Sequence, residues 1–186
     1  MTGRSRAVAP AILCAGIIAL DEVFQVDHFP PPDGKTRAQG FFVANGGCAA
    51  NAAVAVARLG GRATLAGPIG GPPGEDLNGD RVLAGLAREQ VDCGACQRLA
   101  GVPTALSAIF IDAHGNRMIV THCDDRLAAT TPTEPAGLVA SADAVLADNC
   151  FPEFVRPICV AGCGRARSSL SRPSTRWARV TCSTGP

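Results

Sequence analysis

The residues best suited to bind a small polar molecule stand in the segment 45–51, where two adjacent glycines precede a helix-forming run. Gly46 and Gly47 allow the backbone to turn sharply and to approach a ligand closely, because neither carries a Cβ atom. A helix that begins after such a turn directs unpaired N–H groups toward it, where a polar or anionic ligand can accept them. Asn51 is the one polar side chain of the first turn, and its amide suits a sugar hydroxyl because it both donates and accepts.

The same segment has a structural interpretation of equal weight. The glycine turn then packs an alanine-rich helix against a sheet, and Asn51 bonds to nearby backbone. The alanine-rich run from Ala52 predicts the helix, and Gly60 and Gly61 are placed to end it in a left-handed cap. The local pattern leaves both interpretations open.

Two carboxylates follow apolar runs that we expect to be buried parallel strands. Residues 11–18 form one continuous apolar run, typical of a strand covered on both faces, and Asp21 follows it. Asp148 follows the run Ala144–Ala147 in the same way. Because ligands bind at the carboxyl ends of strands in open α/β sheets, both carboxylates are expected at that edge. Asp21 then either accepts hydrogen bonds from ligand hydroxyls or caps its own loop backbone.

The remaining pattern predicts an α/β fold that carries a second, smaller sheet. A buried strand over 63–67 and helices over 80–89 and Pro135–Ala140 alternate with the strands already named, which indicates a parallel sheet. Short strand patterns at about 22–44 and a hairpin pattern at about 104–122 predict the small sheet, which projects from the main body.

Length and composition indicate one globular domain rather than a disordered or membrane-spanning chain. The chain has 186 residues, of which 47% are hydrophobic and 18% are charged. A net charge of +1 and the absence of tyrosine give no support for a nucleic-acid or membrane partner. The apolar run near the amino terminus is interrupted by Pro10 and followed directly by Asp21, which favours a buried strand over a secretory signal. A cytoplasmic location is expected.

The nine cysteines are scattered along the chain. Cys93 and Cys96 form a lone CxxC without a second pair at zinc-finger spacing, so no metal site is predicted. Four others stand among apolar or small residues and are expected to be buried, reduced thiols: Cys14, Cys48, Cys123 and Cys150.

The sequence changes character after residue 160. Residues 161–186 contain five arginines and five serines but no acidic residue, and no hydrophobic period survives there. This segment is either a basic tail that binds a partner or a stretch never selected to fold, such as an out-of-frame translation. We favour the second, and therefore predict a folded region over 1–160 and an irregular, non-native tail over 161–186.

Over residues 11–154 the chain resembles the amino-terminal half of the ribokinase (PfkB) family of carbohydrate kinases. Four segments carry the resemblance: Gly16 to Asp21, similar to the first strand with its substrate-binding aspartate; Gly46 to Asn51, similar to the GGxxxN signature; residues 67–79, similar to the G-x-x-G-x-D-x-x-G loop; and residues 105–120, similar to the lid hairpin.

The resemblance implies a ribokinase-like, Rossmann-type α/β fold with a parallel sheet flanked by helices, a small β-sheet lid, and the carboxyl-terminal part of the fold missing. It also implies phosphorylation of a sugar hydroxyl from ATP with Mg²⁺. By this analogy Asp21 accepts hydrogen bonds from sugar hydroxyls, Asn51 holds another hydroxyl, and Gly46 and Gly47 let the backbone close on the ring. Lid closure excludes water so that transfer outcompetes hydrolysis.

Three features depart from the family pattern. Cys48 replaces the longer polar residue that many members carry, and residues 71–74 lengthen the loop before Asp76. The family's G-A-G-D motif, which supplies the catalytic base near the nucleotide site, does not occur in this sequence. We therefore predict a truncated sugar kinase with little or no activity, in which no catalytic or nucleotide-binding residue is assigned.

Two functions of other classes compare as follows with the sequence pattern. A non-catalytic sugar-binding or dimerisation module is the alternative, because lid sheets in the family often pair between subunits and imply a homodimer. A dinucleotide-binding oxidoreductase is disfavoured, since no G-x-G-x-x-G follows a strand in this sequence.

Overall fold

The computed structural model describes residues 8–168, which form nine strands and five helices. The strands are β1 (Ala11–Ala15), β2 (Ala19–Gln25), β3 (Gly40–Gly46), β4 (Arg62–Ala66), β5 (Pro68–Gly70), β6 (Gln97–Leu99), β7 (Ala105–Ile111), β8 (Arg117–His122) and β9 (Ala144–Ala147). The helices are α1 (Cys48–Arg58), α2 (Leu77–Arg88), α3 (Asp125–Ala128), α4 (Pro135–Ala140) and α5 (Pro152–Ser168). The expected α/β class, a parallel sheet with helices and a second small sheet, is confirmed.

The central sheet contains three parallel strands in the order β4-β1-β9. Successive residues of β1 pack into two different hydrophobic clusters, one on each face of the sheet. Leu13 packs in one cluster with Phe154 and Ile158 of α5, whereas Cys14 packs in the other with the small residues of α1. Both faces are therefore covered, which explains the continuous apolar run and raises the pKa of the Cys14 thiol to about 12 through burial.

The first predicted strand is wrong in its extent. The run 11–18 is not one strand, because β1 ends at Ala15 and the chain turns at Gly16, whose φ of +146° disfavours other residues. A Cβ at Gly16 would overlap the carboxylate of Asp148. Asp21 consequently does not lie in a loop after the first strand but inside β2, which belongs to another sheet.

The second sheet has four strands in the order β3-β2-β7-β8. β2 pairs antiparallel with β3 and parallel with β7, and β7 forms an antiparallel hairpin with β8. The strand patterns at 22–44 and 104–122 thus fold into one small sheet, as the sequence predicts. A short parallel pair, β5-β6, forms a separate two-stranded sheet.

Helices α1 and α2 close the core on one side of the central sheet. Ala49, Ala50 and Ala53 form the buried face of α1, and their small side chains let the helix approach β1 and β4 closely. Gly60 follows with φ +85°, which confirms the predicted left-handed cap. Asp76 caps α2, so that helix begins at Leu77 rather than at the expected residue 80.

The thiols and the carboxyl-terminal segment differ in part from expectation. Cys14 is buried, but Cys48 and Cys150 are half-buried and Cys123 is exposed because it follows the outer strand β8.

Helix α5 continues to Ser168, eight residues into the segment expected to be irregular. Residues 169–186 lie outside the described residues, and the non-native tail stays a prediction. None of the helices in residues 8–168 is long and apolar enough to span a bilayer.

Candidate functional site

The carboxylate of Asp21 occupies the space where a side chain at position 46 would lie. Asp21 is the third residue of β2, pairs with Ala44 of β3 and Ser107 of β7, and is half-buried. A Cβ atom at Gly46 would overlap the Asp21 carboxylate, so only glycine at position 46 leaves room for this group. The structure therefore brings these two predicted site residues into direct contact.

The surroundings of Asp21 act on its charge in opposite directions. Burial raises the pKa of the carboxyl group, and a hydrogen bond from the Ser107 hydroxyl lowers it. In the strand register, Ser107 lies between Asp21 and Thr121 of β8. A polar row of carboxylate and hydroxyl groups thus crosses three strands of the small sheet, on the face that also carries Gly46.

Gly47 lies against the backbone of the turn between β1 and β2. It occupies the N-cap position of α1 with φ +94°, and a Cβ atom there would overlap the carbonyl oxygen of Ile17. The second glycine is therefore required by close contact within the chain itself. This is the packing interpretation of the glycine turn, and close approach to a sugar ring stays a prediction.

The side chain of Asp148 lies at the N-terminus of α1, which favours the structural interpretation of the glycine turn. Asp148 Oδ2 accepts the backbone N–H of Ala49 at 3.1 Å and that of Ile17 at 2.9 Å, and Oδ1 accepts that of Cys150 at 2.9 Å. Asp148 is only 8% exposed. A carboxylate from the end of β9 thus fills the position that favours negative charge and ties the β1–β2 turn to the helix.

Asn51 lines a groove whose lining residues do not include Asp21. It is exposed on α1, and this open groove of about 380 Å³ between β3, α1 and α2 is also lined by Asn45 and Arg88. Asn45 occupies the opposite face of β3 from Gly46, and its side chain lies against Gly85 of α2. Of the four predicted residues, Asp21 and Gly46 thus lie at the polar row, Gly47 lies against the β1–β2 turn, and Asn51 lines this groove.

Two interactions at the site were not anticipated. Ser107 stands in a strand that reads as apolar, and its partner is visible only once the parallel register of β2 and β7 is known. Asp76 accepts hydrogen bonds from the backbone of Gly79 and from the backbone and hydroxyl of Thr104, which joins the start of α2 to the start of β7. The bonds from Thr104 to Asp76 have no local signal in the sequence, because the two residues are 28 positions apart.

The N-termini of the long helices already carry negative charge. The three long helices each have a carboxylate at the N-terminus: Asp148 at α1, Asp76 at α2 and Glu153 in the first turn of α5. At α1 and α2 the carboxylate already accepts a backbone N–H group, that of Ala49 or of Gly79, and at all three helices its charge repels phosphate. Between residues 8 and 168, moreover, no three His, Cys, Asp or Glu side chains cluster as metal ligands.

Comparison with known proteins places the chain among carbohydrate kinases. The family model described as pfkB family carbohydrate kinase matches residues 9–170. Fructokinase-1 of Oryza sativa subsp. japonica is 35% identical over 113 residues, which are 53% of this chain and 33% of that enzyme.

Two solved structures show the same fold. A ribokinase-like protein from Agrobacterium tumefaciens has a TM-score of 0.79 and 33% identity, covering 86% of this chain and 51% of that one. The ribokinase of Arabidopsis thaliana in complex with ribose and ATP has a TM-score of 0.65 and 18% identity, covering 83% and 52%. The match spans a third of the rice enzyme and about half of each solved chain.

Proposed function

Because the chain belongs to the pfkB family of carbohydrate kinases, we propose that its described residues form the sugar-binding half of an ATP-dependent sugar kinase. The observation that carries the proposal is the half-buried carboxylate of Asp21, which lies over Gly46 and accepts a hydrogen bond from Ser107. The fructokinase name of the rice relative and the ribose in the Arabidopsis structure support a hexose or pentose as the substrate.

The role of Asp21 follows from its environment. A carboxylate is a pure acceptor, and partial burial strengthens each hydrogen bond that it receives from a sugar hydroxyl. Ser107 occupies only part of its accepting capacity and fixes the orientation of the group. Thr121 of β8 is paired with Ser107 of β7 and offers a hydroxyl that can both donate and accept a hydrogen bond. In this proposal the four-stranded sheet closes over the sugar as a lid and excludes water.

The other predicted contacts remain part of the proposal. Asn51 holds a further hydroxyl only if the sugar, or movement of the lid, bridges the groove and the polar row. The 186-residue chain has little or no phosphoryl-transfer activity, because the N-termini of its three long described helices already carry carboxylates. A cytoplasmic location, supported by the scattered cysteine pattern, also belongs to this proposal.

Calorimetric titration of the chain with fructose and with ribose tests the binding role. We expect one of the two to bind, and Asp21→Asn to weaken that binding by about 10- to 100-fold, as expected for a hydrogen bond to a charged group. Asp33→Asn is the matched control, because Asp33 is exposed and its φ of +58° is tolerated by asparagine. Equal sugar affinity in Asp21→Asn and Asp33→Asn would contradict the role of Asp21.

A coupled assay for ADP release tests the catalytic part. With Mg²⁺, ATP and the bound sugar, we expect no turnover above that of a blank without protein. Sugar-dependent ADP release that disappears in Asp21→Asn would overturn the proposed inactivity while supporting the kinase function.

A dimerisation role is the second candidate, favoured by an aromatic row on the far face of the small sheet. The Phe24 ring lies 4.9 Å from that of Phe41 and 5.4 Å from that of Phe110, measured between centroids. Phe41 is 55% exposed, and Val120 on the same face is 61% exposed. Such a patch on a sheet favours burial against a second copy of the chain.

Sedimentation velocity of the chain tests this role. We expect a dimer that Phe41→Ser dissociates and that Leu59→Ser leaves intact, since Leu59 is 88% exposed beyond the end of α1. A monomer at every accessible concentration would exclude dimerisation without affecting the sugar-binding proposal.

A further inference from the structure

Cys93 and Cys96 lie at the two ends of one tight turn. The backbone N–H of Cys96 donates to the carbonyl oxygen of Cys93 at 3.0 Å, which closes a four-residue turn through Gly94 and Ala95. Such turns hold their first and last Cα atoms within about 7 Å of each other. A disulfide spans about 4.4–6.8 Å between Cα atoms, so this turn brings the two residues into range of a bond.

The turn is held against the central sheet just before its first cysteine. Asp92 donates its backbone N–H to Ala63 at 2.9 Å and accepts that of Leu65 at 2.8 Å, so it lies along β4 like an added strand residue. Its side chain also accepts the N–H of Gly94 at 2.9 Å, within the turn.

The turn is also held just after its second cysteine. Gln97 donates its backbone N–H to Gly67 at 2.9 Å and begins β6. The main chain on both sides of the turn is therefore tied to neighbouring residues of the fold.

The two thiols are chemically unequal. Both are half-buried, and the Cys96 thiol lies 3.4 Å from the carbonyl oxygen of Leu65. Cys96 is the more buried of the two. The hydrogen bond between the two side chains lowers the pKa of Cys93 and raises that of Cys96, and burial raises the pKa of Cys96 further. The thiolate is the nucleophilic form of cysteine, so Cys93 is the attacking residue and Cys96 the resolving one.

We propose that Cys93 and Cys96 are a redox-active dithiol, which small-molecule disulfides such as oxidised glutathione convert to an intramolecular disulfide. The Cys93 thiolate attacks one sulfur of the small disulfide, forms a mixed disulfide and displaces one thiolate. Cys96 then loses its proton to water and attacks the sulfur of Cys93, which displaces the second small thiolate. One disulfide is reduced to two thiols while the protein dithiol is oxidised, so electrons and protons balance. The proposal is independent of sugar binding.

A metal-binding role for the same pair has less support. Thiolate pairs hold zinc with two further ligands. Within residues 8–168 no third His, Cys, Asp or Glu joins them to form a cluster.

Mass spectrometry of the intact chain after equilibration with reduced and oxidised glutathione tests the proposal. Cleavage after Arg88 and Arg98 yields a peptide, residues 89–98, that contains both cysteines and no other. After acid quenching and alkylation, we expect this peptide to pass from doubly alkylated to a form two hydrogens lighter than the dithiol as oxidised glutathione increases, and to return with dithiothreitol. The peptide 118–126 contains only Cys123, which is exposed, and serves as the internal reference for a thiol without a partner cysteine.

Two variants distinguish the roles of the cysteines. In Cys96→Ser, Cys93 is expected to accumulate as the mixed disulfide with glutathione, because nothing resolves it. In Cys93→Ser, Cys96 is expected to react about tenfold more slowly or less than Cys93 does, since a higher pKa leaves less thiolate. Circular dichroism confirms that each variant is folded.

The outcomes that contradict the proposal are specific. A wild-type peptide 89–98 that carries glutathione like the Cys123 peptide, without loss of two hydrogens, would exclude the dithiol. Faster alkylation of Cys96 than of Cys93 would reverse the assignment of the nucleophile and so overturn the proposed mechanism.

Discussion

Replacing Asp148 with alanine removes the carboxylate that joins the β1–β2 turn, the start of α1 and the end of β9. Three backbone N–H groups lose their acceptor, at Ile17, Ala49 and Cys150. Each hydrogen bond to a charged group contributes about 1.5–3 kcal/mol, and water entry and relaxation return part of that sum. We expect Asp148→Ala to lower the free energy of unfolding by about 3–5 kcal/mol.

The opposite end of the same strand supplies the control. Asp143 precedes β9 and accepts one exposed backbone N–H, that of Ala11, at 2.8 Å. Asp143→Ala should cost about 0.5–1 kcal/mol, because water can replace an exposed acceptor. Asp148→Asn retains one accepting oxygen and should cost about 1–2 kcal/mol, which keeps the comparison measurable if the alanine variant does not fold.

Urea unfolding followed by far-ultraviolet circular dichroism gives these differences, provided that the variants share one denaturant slope. The order of cost should be Asp148→Ala, then Asp148→Asn, then Asp143→Ala. A cost for Asp148→Ala within about 1 kcal/mol of that for Asp143→Ala would refute the assignment of Asp148 as a buried junction.

Three further substitutions test the site and the core. Gly47→Ala should destabilise the fold by at least about 2 kcal/mol more than Gly60→Ala. Both glycines have positive φ, but only at Gly47 would the added Cβ overlap a carbonyl oxygen, that of Ile17. Thermal unfolding of the two variants measures the difference. Leu86→Ala should cost about 2–5 kcal/mol in urea unfolding, since Leu86 is fully buried, whereas exposed Leu77→Ala should not. Asp21→Asn should raise the melting temperature at neutral pH. Burial raises the folded-state pKa of this carboxyl group, so its ionisation opposes folding as pH rises, and the gain should vanish below the unfolded pKa of about 3.9.

Local signals in the sequence predict several elements with their observed bounds. Pro135 at the first turn predicts α4, and the apolar run Ala144–Ala147 predicts β9, both as the structure has them. The alanine-rich run from Ala52 predicts that a helix exists there, because helix propensity and small side chains are properties of neighbouring residues, but α1 begins earlier, at Cys48. Such elements need no knowledge of distant contacts.

The break between β1 and β2 is invisible to the same reasoning. Gly16 interrupts an apolar run in which Ile17 and Ile18 continue the hydrophobic pattern, so neither period nor composition marks the turn. The turn is held by the carboxylate of Asp148, which accepts the N–H of Ile17 although the two residues are 131 positions apart in the sequence. A local pattern also cannot place Asp21 in the small sheet, because β2 acquires its register from β7.

The start of α1 shows how a ligand site and a structural contact can share one sequence signal. A glycine turn followed by a helix predicts affinity for an anionic group, and in the structure the carboxylate of Asp148 accepts an N–H group there. This interpretation can be tested by supplying the missing group. Truncation to alanine removes a carboxylate of the size of formate, so formate should occupy the space and accept the N–H groups of Ile17 and Ala49.

We therefore expect formate to raise the melting temperature of Asp148→Ala well above the effect of chloride at equal ionic strength. Wild-type protein and Asp143→Ala should respond equally to the two salts, because their helix N-terminus already holds a carboxylate. An equal response of all three proteins to formate would mean that the N–H groups at α1 have no particular affinity for a carboxylate. The stabilising role of Asp148 would then have to come from packing alone.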